Sequence, residues 1–244
     1  MNRTACGLAF ALVLAGVAGS ASAQQLSRSG LAPGSQALQP WGPMVTQTIT
    51  QSVSPTVTAA NSVSCNGGSP TFLHTDNSYF RAFTLSTFKN LSQPQFRVDQ
   101  VSFGIETAND AAGAGQPVTV NLYRSTTNPP TLASLTPVSS DNFTVPDQTN
   151  AIFPANIASQ PVFTVATDIL VVEIFTPSGQ ATNNSFFLGS NAGGQIAPSY
   201  IVATSCGISE ITNLASIGFA NMHIVMSVTG NNQVPVTLQG FNVD

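Results

Sequence analysis

Charged side chains are scarce in this sequence. Only 7% of its 244 residues are Asp, Glu, Lys or Arg, whereas a typical soluble globular protein carries about 25%. Hydrophobic residues account for 42%, so the chain has enough apolar material to fill a core and is not disordered by composition. Thr, Ser, Asn and Gln fill the polar positions instead, a composition that suits a secreted or cell-surface β protein.

The few charged groups disfavour two classes of function. The chain has six Lys and Arg residues and a net charge of −4. Arg81, Lys89, Arg97 and Arg124 stand singly, so the clustered basic residues that nucleic-acid binding requires are missing. Two histidines and ten carboxylates also leave little material for a catalytic centre. We therefore expect no nucleic-acid partner and a non-enzymatic protein.

The N-terminus has the pattern of a secretory signal peptide. Arg3 supplies the positive start, residues 7–19 form a mostly apolar run, and Ala-Ser-Ala at residues 21–23 is a small-residue cleavage site. The run is shorter than the roughly 20 apolar residues that cross a bilayer, so cleavage is favoured over an uncleaved anchor. No later stretch is long and apolar enough to span a membrane. We expect a signal peptide at 1–23 and a mature chain that is secreted or held at the cell surface.

Cleavage of this signal peptide removes Cys6 and leaves two cysteines, Cys65 and Cys206, in an oxidising compartment. A disulfide between them would close a loop of about 140 residues and stabilise the fold by roughly 4–5 kcal/mol on the chain-entropy model. Two free thiols or an intermolecular bridge are the alternatives. A zinc site is disfavoured because two cysteines without a nearby pair of histidines do not complete a tetrahedral ligand set. We predict the internal disulfide.

Alternation of apolar and polar residues predicts β-strands along most of the chain. Residues 79–85 place Tyr, Arg and Phe on one face, and Phe, Ala and Thr on the other. Residues 96–107 alternate well, but the phase slips by one near Asp99, as it does at a β-bulge. Residues 169–175 are apolar on both faces and predict a central strand. The best helical candidate, residues 209–215, is long enough for one or two turns only.

Many short strands at about 8–12-residue spacing, separated by Gly, Pro and Asn, predict an all-β, jelly-roll-like antiparallel β-sandwich. The predicted sandwich spans 61–230, after an N-terminal arm at 24–60 and before a C-terminal tail at 231–244. Part of the arm, residues 44–60, is rich in β-branched and polar residues. This segment could add to the sheet edge of a neighbouring subunit, or it could be a strand of its own domain's sheet.

Several strand-like stretches also resemble a known kind of module. They are residues 77–83, 101–106, 118–123, 170–177, 185–191 and 222–226. Together they resemble an uncharacterised jelly-roll-like β-sandwich module of bacterial secreted proteins, over about residues 50–230. The resemblance implies export and a sandwich fold. It implies no activity and transfers no catalytic residues.

Two weak catalytic arrangements can be drawn from the sequence. His74 and Asp76 could orient a base for a serine nucleophile, but no Gly-x-Ser-x-Gly elbow is present, and a polar loop is the simpler interpretation. Glu106 and Glu173 could form a glycosidase pair, which needs two carboxylates about 5–10 Å apart.

The alternative for the two glutamates is an ordinary ion pair with one of the arginines at 81, 97 and 124. For Glu173 the apolar neighbours favour this buried pairing. His223, in an alternating strand, is interpreted as a hydrogen-bonded residue of one sheet face. Two histidines alone do not make a metal site.

Two kinds of binding residue are candidates. Asp76 and Glu106 supply oxygen atoms near strand ends, where a structural Ca²⁺ could bind, although Ca²⁺ needs six to eight oxygens and no Asp-x-Asp-x-Asp loop is present. The ring candidates for an exposed sugar-binding platform are Trp41, Tyr79, Tyr123 and Tyr200. Each tyrosine alternates in step with core residues, and Trp41 could instead cover one end of the domain.

Three functions remain open at this stage. The leading hypothesis is an extracellular structural or adhesive protein that self-associates by strand addition through the arm. The alternative is a carbohydrate-binding module that recognises cell-surface glycans, which would show aromatic rings standing out from one sheet face. The third is a hydrolase that uses His74 with an unidentified nucleophile. Fold alone does not decide among them.

Overall fold

The computed structural model describes residues 45–233, and the part of the chain that it describes is all-β. Its strands are β1 (Val45–Thr50), β2 (Asn77–Thr84), β3 (Gln95–Asp110), β4 (Gln116–Ser125), β5 (Leu135–Val145), β6 (Gln148–Asn156), β7 (Val162–Thr164), β8 (Ile169–Thr176), β9 (Asn184–Leu188), β10 (Ser190–Asn191), β11 (Tyr200–Ala203), β12 (Ile208–Asn213), β13 (His223–Ile224) and β14 (Met226–Gln233). The described helices are short 3₁₀ turns at Leu85–Thr87, Leu132–Ser134, Thr204–Cys206 and Leu214–Ile217. None of them has the length and hydropathy that crossing a bilayer requires. The predicted fold class is confirmed.

The strands form two antiparallel sheets and a short ribbon. The first sheet has the order β1-β14-β3-β6, and β7 and β9 also pair with β3. The second sheet has the order β12-β11-β2-β8-β4-β5, and the ribbon is β10-β13. The chain passes repeatedly between the two sheets, which is the arrangement expected for a jelly-roll-like sandwich. Strand β8 lies between β2 and β4, so its prediction as a central strand is confirmed.

The core lies between the inner faces of the two sheets. Phe83 and Leu122 of the second sheet and Phe103 of the first belong to one cluster of buried apolar side chains. Three aromatic rings close one side of the sandwich. The ring of Phe153 in β6 lies 5.4 Å from that of Phe103 in β3 and 6.2 Å from that of Phe143 in β5, measured between ring centroids. These contacts bring the edge strands of the two sheets together.

Strand β3 contains the predicted β-bulge. In its pairing with β14, Gln100 lies opposite Thr229, but Val98 lies opposite Gly230, so Asp99 is the extra residue. Such a residue shifts the side-chain alternation by one position, as the sequence pattern indicates at this place.

Strand β1 belongs to the sheet of its own domain. It pairs antiparallel with β14, from Val45 opposite Asn232 to Thr50 opposite Ser227, and Ile49 is 1% exposed. Of the two alternatives for the 44–60 segment, the structure shows the intramolecular strand. The described sandwich therefore begins before residue 61 and continues through β14 beyond residue 230. The described residues do not include the predicted signal peptide, residues 24–44 of the arm with Trp41, or residues 234–244.

The best helical candidate of the sequence, residues 209–215, is mostly a strand. Strand β12 continues to Asn213, and only then does a 3₁₀ turn begin at Leu214. Asn213 pairs with Tyr200 in the sheet, and its side chain accepts a hydrogen bond from the Ala215 amide at 3.0 Å. Sheet pairing therefore overrides the weak local helical pattern, and the Asn213 cap sets where the turn starts.

Candidate functional site

The predicted disulfide is present. Cys65 and Cys206 are bonded with an S–S distance of 1.99 Å and a Cα–Cα distance of 5.9 Å. The bond joins the loop before β2 to the 3₁₀ turn between β11 and β12. It therefore fixes one edge of the second sheet to a segment distant in the chain.

The His74–Asp76 pair of the hydrolase hypothesis is not formed. His74 is fully buried, with Nδ1 3.0 Å from the Asn184 carbonyl oxygen and Nε2 3.0 Å from the Gln116 side-chain nitrogen. Asp76 instead accepts a hydrogen bond from the Ser205 hydroxyl at 3.1 Å. An enclosed imidazole with both nitrogens occupied is not placed to reach a substrate.

The two calcium candidates have separate partners. One oxygen of Glu106 accepts hydrogen bonds from the backbone amides of Asn61 and Ser62, at 3.1 and 2.8 Å, whereas Asp76 contacts Ser205. No group of three or more His, Cys, Asp or Glu residues is placed to hold a metal within residues 45–233. Calcium binding by these residues stays a prediction.

The predicted pairing of the glutamates with arginines is wrong among the described residues. Arg97 binds Asp99 at 2.8 Å and Arg124 binds Asp168 at 2.9 Å. Arg81 is buried on the core side of β2, where it donates to the carbonyl oxygens of Ala197 at 2.8 Å and Ile224 at 2.5 Å.

Burial lowers the pKa of Arg81 to about 10, and the nearby Tyr200 hydroxyl acts in the opposite direction. A guanidinium stays charged at neutral pH with such a pKa, so Arg81 is a buried cation solvated by backbone carbonyls.

Two of the predicted sugar-stacking tyrosines are not exposed, which corrects that expectation. Tyr79 is 0% exposed because it points into the core, where its hydroxyl donates to the Val63 carbonyl at 3.0 Å. Tyr200 is 4% exposed, although it belongs to the opposite face of the same sheet. Tyr123 is half-buried on that face. Burial raises the pKa of all three phenols.

The face of the second sheet that points away from the core carries a continuous line of neighbouring side chains. Cross-strand pairing aligns one residue from each of the six strands; in sheet order they are Asn213, Tyr200, Phe80, Glu173, Asn121 and Ser140. We call this set the outer-face row. Directly paired residues in antiparallel strands lie about 4.5–5.5 Å apart, so the row places two rings, a carboxylate and an amide side by side.

Glu173 is the polar centre of the outer-face row. It is 8% exposed, and its Oε2 accepts hydrogen bonds from the Asn121 amide at 2.9 Å and the Tyr123 hydroxyl at 2.6 Å. This contact also contributes to the raised pKa of Tyr123, after burial. Within the described chain, Glu173 forms no salt bridge and its Oε1 accepts no hydrogen bond from another residue.

Apolar side chains surround this polar centre. Phe80, Ala82, Val171 and Tyr200 form a buried cluster on the outer face. Partly buried residues pack against it: Tyr123, Leu135, Ile169, Val202 and Ile211. A ligand lying on this face would meet an apolar floor with a few polar groups, which is the usual composition of a small-molecule site.

A shallow cavity continues one end of the outer-face row. Its volume is about 310 Å³, and its lining includes Asn213, Ala215 and Pro198. Because Asn213 pairs with Tyr200, the cavity lies at the β12 end of the row.

Sequence reasoning found Tyr123, Tyr200 and Glu173 but missed their partners Phe80 and Asn121. The signal in the sequence is that β2 and β8 carry apolar residues on both faces. A strand with one face in water alternates more regularly between apolar and polar residues. That signal indicates a covered or functional outer face, but not which residues of distant strands meet there.

No family model and no curated protein matches this chain. Among solved structures, it is similar to that of the cysteine protease and lectin-like domains of Cwp84, a surface-layer-associated protein of Clostridium difficile, with 11% identity and a TM-score of 0.46, covering 66% of this chain and 33% of that one. It is also similar to clostridial cysteine protease Cwp84 after propeptide cleavage, with 10% identity and a TM-score of 0.48, covering 77% of this chain and 40% of that one. The chain thus spans less than half the length of either structure. At these TM-scores the likenesses assign no function.

Proposed function

We propose that this protein is a non-enzymatic extracellular module that binds carbohydrate through the outer face of its second sheet. The outer face carries the proposal, because it sets the half-buried ring of Tyr123 beside the polar groups of Glu173 and Asn121. The rings of Phe80 and Tyr200 are buried and form the apolar floor beneath them. A saccharide presents C–H faces that pack on aromatic rings and hydroxyl edges that bond to carboxylates and amides. Tyr123 supplies the ring contact, and Glu173 and Asn121 supply the polar contacts next to it.

The extracellular and non-enzymatic parts of the proposal rest on other observations. A disulfide joins Cys65 and Cys206, and such bonds persist in oxidising compartments. His74 is enclosed and bonded to Asn184 and Gln116, which leaves it poorly placed as a catalytic base. Binding without turnover is therefore the function that the described residues support best.

The proposal is tested by binding measurements on the oxidised mature chain, residues 24–244, against a panel of oligosaccharides. Tyr123→Ala and Asn121→Ala should each weaken binding at least tenfold, about 1.4 kcal/mol, because each removes a contact beside Glu173. The matched control is Phe72→Ala, which removes an exposed ring outside the second sheet and should bind as the parent does. Thermal melting checks that each variant is folded. Unchanged binding in both Tyr123→Ala and Asn121→Ala, or no binding to any saccharide, would contradict the proposal.

Self-association through β1 is a second candidate, favoured by the character of that edge. The described part of β1, Val-Thr-Gln-Thr-Ile-Thr, has no charge and no proline. Three other edge strands carry residues that discourage pairing with another chain: Pro137 and Asp141 in β5, Pro154 in β6 and Glu210 in β12. Among residues 45–233, the edge of β1 is partly covered by Asn90, whose side chain donates to the Thr48 carbonyl at 3.1 Å.

Lysines on the exposed positions of β1 test this second candidate. The double substitution Thr46→Lys and Thr48→Lys should convert any oligomer or filament to monomers, because like charges would face each other across the new pairing. Thr144→Lys on the β5 edge is the control and should leave assembly unchanged. Size-exclusion chromatography with negative-stain microscopy gives the readout. A parent protein that is monomeric at all concentrations would remove the candidate.

A further inference from the structure

We infer that the outer-face row recognises a cationic saccharide, an amino sugar whose amine is free and protonated. This inference rests on the proposed function and names the class of ligand at the same site. It is carried by the Glu173 carboxylate, which has no salt-bridge partner among the described residues, and by the half-buried rings of Tyr123 and Phe175 beside it.

Glu173 supplies the only charge on this face among the described strand residues. Its neighbours in the outer-face row and along β8, such as Phe175, are uncharged. The nearest basic residue in β2, Arg81, points to the core, where its guanidinium donates to Ala197 and Ile224. Arg124 is paired with Asp168. No Lys, Arg or His of the described chain forms a salt bridge with Glu173.

Glu173 is 8% exposed, so its carboxylate has lost most of its contact with water, and it gains only two hydrogen bonds, from Asn121 and Tyr123. A ligand ammonium would restore the missing compensation. Charge-assisted hydrogen bonds are about twice as strong as neutral ones, so an ammonium gains more at this position than a sugar hydroxyl does.

The rings around Glu173 favour the same ligand group. Phe80 lies directly opposite Glu173 on β2, and Tyr200 lies opposite Phe80 on β11. Tyr123 contacts the carboxylate through its hydroxyl, and Phe175 follows two residues later on the same face of β8. Aromatic faces attract ammonium groups, most strongly where water is excluded. Phe80 and Tyr200 are buried, so the ring attraction comes from the half-buried Tyr123 and Phe175 next to the carboxylate.

The charge also predicts which saccharides are rejected. Anionic polysaccharides would place like charge against Glu173, which is unfavourable. Acetylation of an amino sugar removes the positive charge while it keeps the ring and the other hydroxyls. The inference therefore predicts discrimination between two forms of one sugar that differ at a single nitrogen.

The test compares glucosamine tetrasaccharide with its fully N-acetylated form by titration calorimetry, at a pH where the free amine is protonated. The mature oxidised chain should bind the free-amine form at least tenfold more tightly than the acetylated form. Glu173→Gln should reduce this preference to less than threefold, because the amide keeps the shape but loses the charge. Glu210→Gln removes an exposed carboxylate from β12 and should keep the preference, which controls for net charge. High salt should weaken binding of the free-amine form only.

The outcomes separate this inference from the proposed function. Equal or tighter binding of the acetylated form, or an unchanged preference in Glu173→Gln, overturns the inference. If the acetylated or other neutral saccharides bind and Tyr123→Ala abolishes that binding, the proposed function stands without it. If no saccharide binds, both fail. The comparison of two ligands on the parent protein does not depend on the folding of any variant.

Discussion

His74 is held at one end of the sandwich by groups that suit a neutral imidazole. Its Nδ1 faces the Asn184 carbonyl and its Nε2 faces the Gln116 amide. The surrounding backbone leaves no room, since a Cβ at Gly179 would lie 2.3 Å from the His74 ring. Burial lowers the pKa of His74 below its ordinary value of 6.5, while hydrogen bonding to the carbonyls of Asn184 and Pro177 acts in the opposite direction.

This environment predicts a loss of stability in mild acid. The folded protein binds the His74 proton less readily than the unfolded chain, so the free energy of unfolding falls as the pH drops below about 6.5. Urea denaturation between pH 7.5 and 5 measures this slope. His74→Gln, which cannot be protonated, should show a flatter profile over the same range. An identical slope in both proteins would show that His74 does not cause the acid sensitivity.

At the scale of single strands, local alternation predicted a fine detail, the bulge at Asp99. A residue added to one strand shifts every later side chain to the other face, and that shift is visible in the order of apolar residues. The same reasoning failed at residues 209–213, because that stretch is short and its strand state depends on pairing with β11. Local alternation predicts which side chains of a strand share one face of the sheet. It does not predict which other strand lies beside it.

The bulge provides the next prediction, at Gly230 on β14. A Cβ at this position would lie 2.0 Å from the Arg97 carbonyl oxygen and 2.9 Å from the Arg97 carbonyl carbon. Both are backbone atoms, so Gly230→Ala should force β3 and β14 apart and cost about 1–3 kcal/mol of stability. Gly67→Ala is the control, since a Cβ there meets its nearest atom, on Gln180, at 3.5 Å. Urea midpoints check the difference, and equal midpoints would contradict the prediction.

At the scale of the whole molecule, the sequence predicted the sandwich but not how its distant parts meet. Strand β1 pairs with β14 near the other end of the described chain, and nothing in the local pattern of residues 45–50 specifies that partner. The outer-face row likewise draws its residues from six strands. Glu173 was expected beside an arginine because of its apolar neighbours, yet Asn121 and Tyr123 bind it instead. Contacts of this kind depend on the order of the strands in the sheet, and the alternation of apolar and polar residues along one strand does not specify that order.

The disulfide provides a prediction at the same scale, because it closes most of the fold into one loop. Cys65 and Cys206 are separated by 141 residues, and strands β2 to β11 lie between them. A cross-link over so long a loop restricts the unfolded chain strongly and stabilises by roughly 4–5 kcal/mol on the chain-entropy model. The double substitution Cys65→Ser and Cys206→Ser should lower the free energy of unfolding by about this amount.

Urea denaturation of the oxidised parent, the reduced parent and the double variant checks this value. The reduced parent and the double variant should have the same urea midpoint, because both lack the disulfide. The reduced parent carries no substitution, so agreement between the two excludes an effect of the serines. Ser205→Ala, next to Cys206, removes only an exposed hydrogen bond to Asp76. It is the control for local disturbance and should stay close to the oxidised parent. If reduction leaves the midpoint unchanged, the cross-link does not limit the unfolded chain. The stability of the sandwich then comes from its packed core alone, and the protein would fold equally well in a reducing compartment.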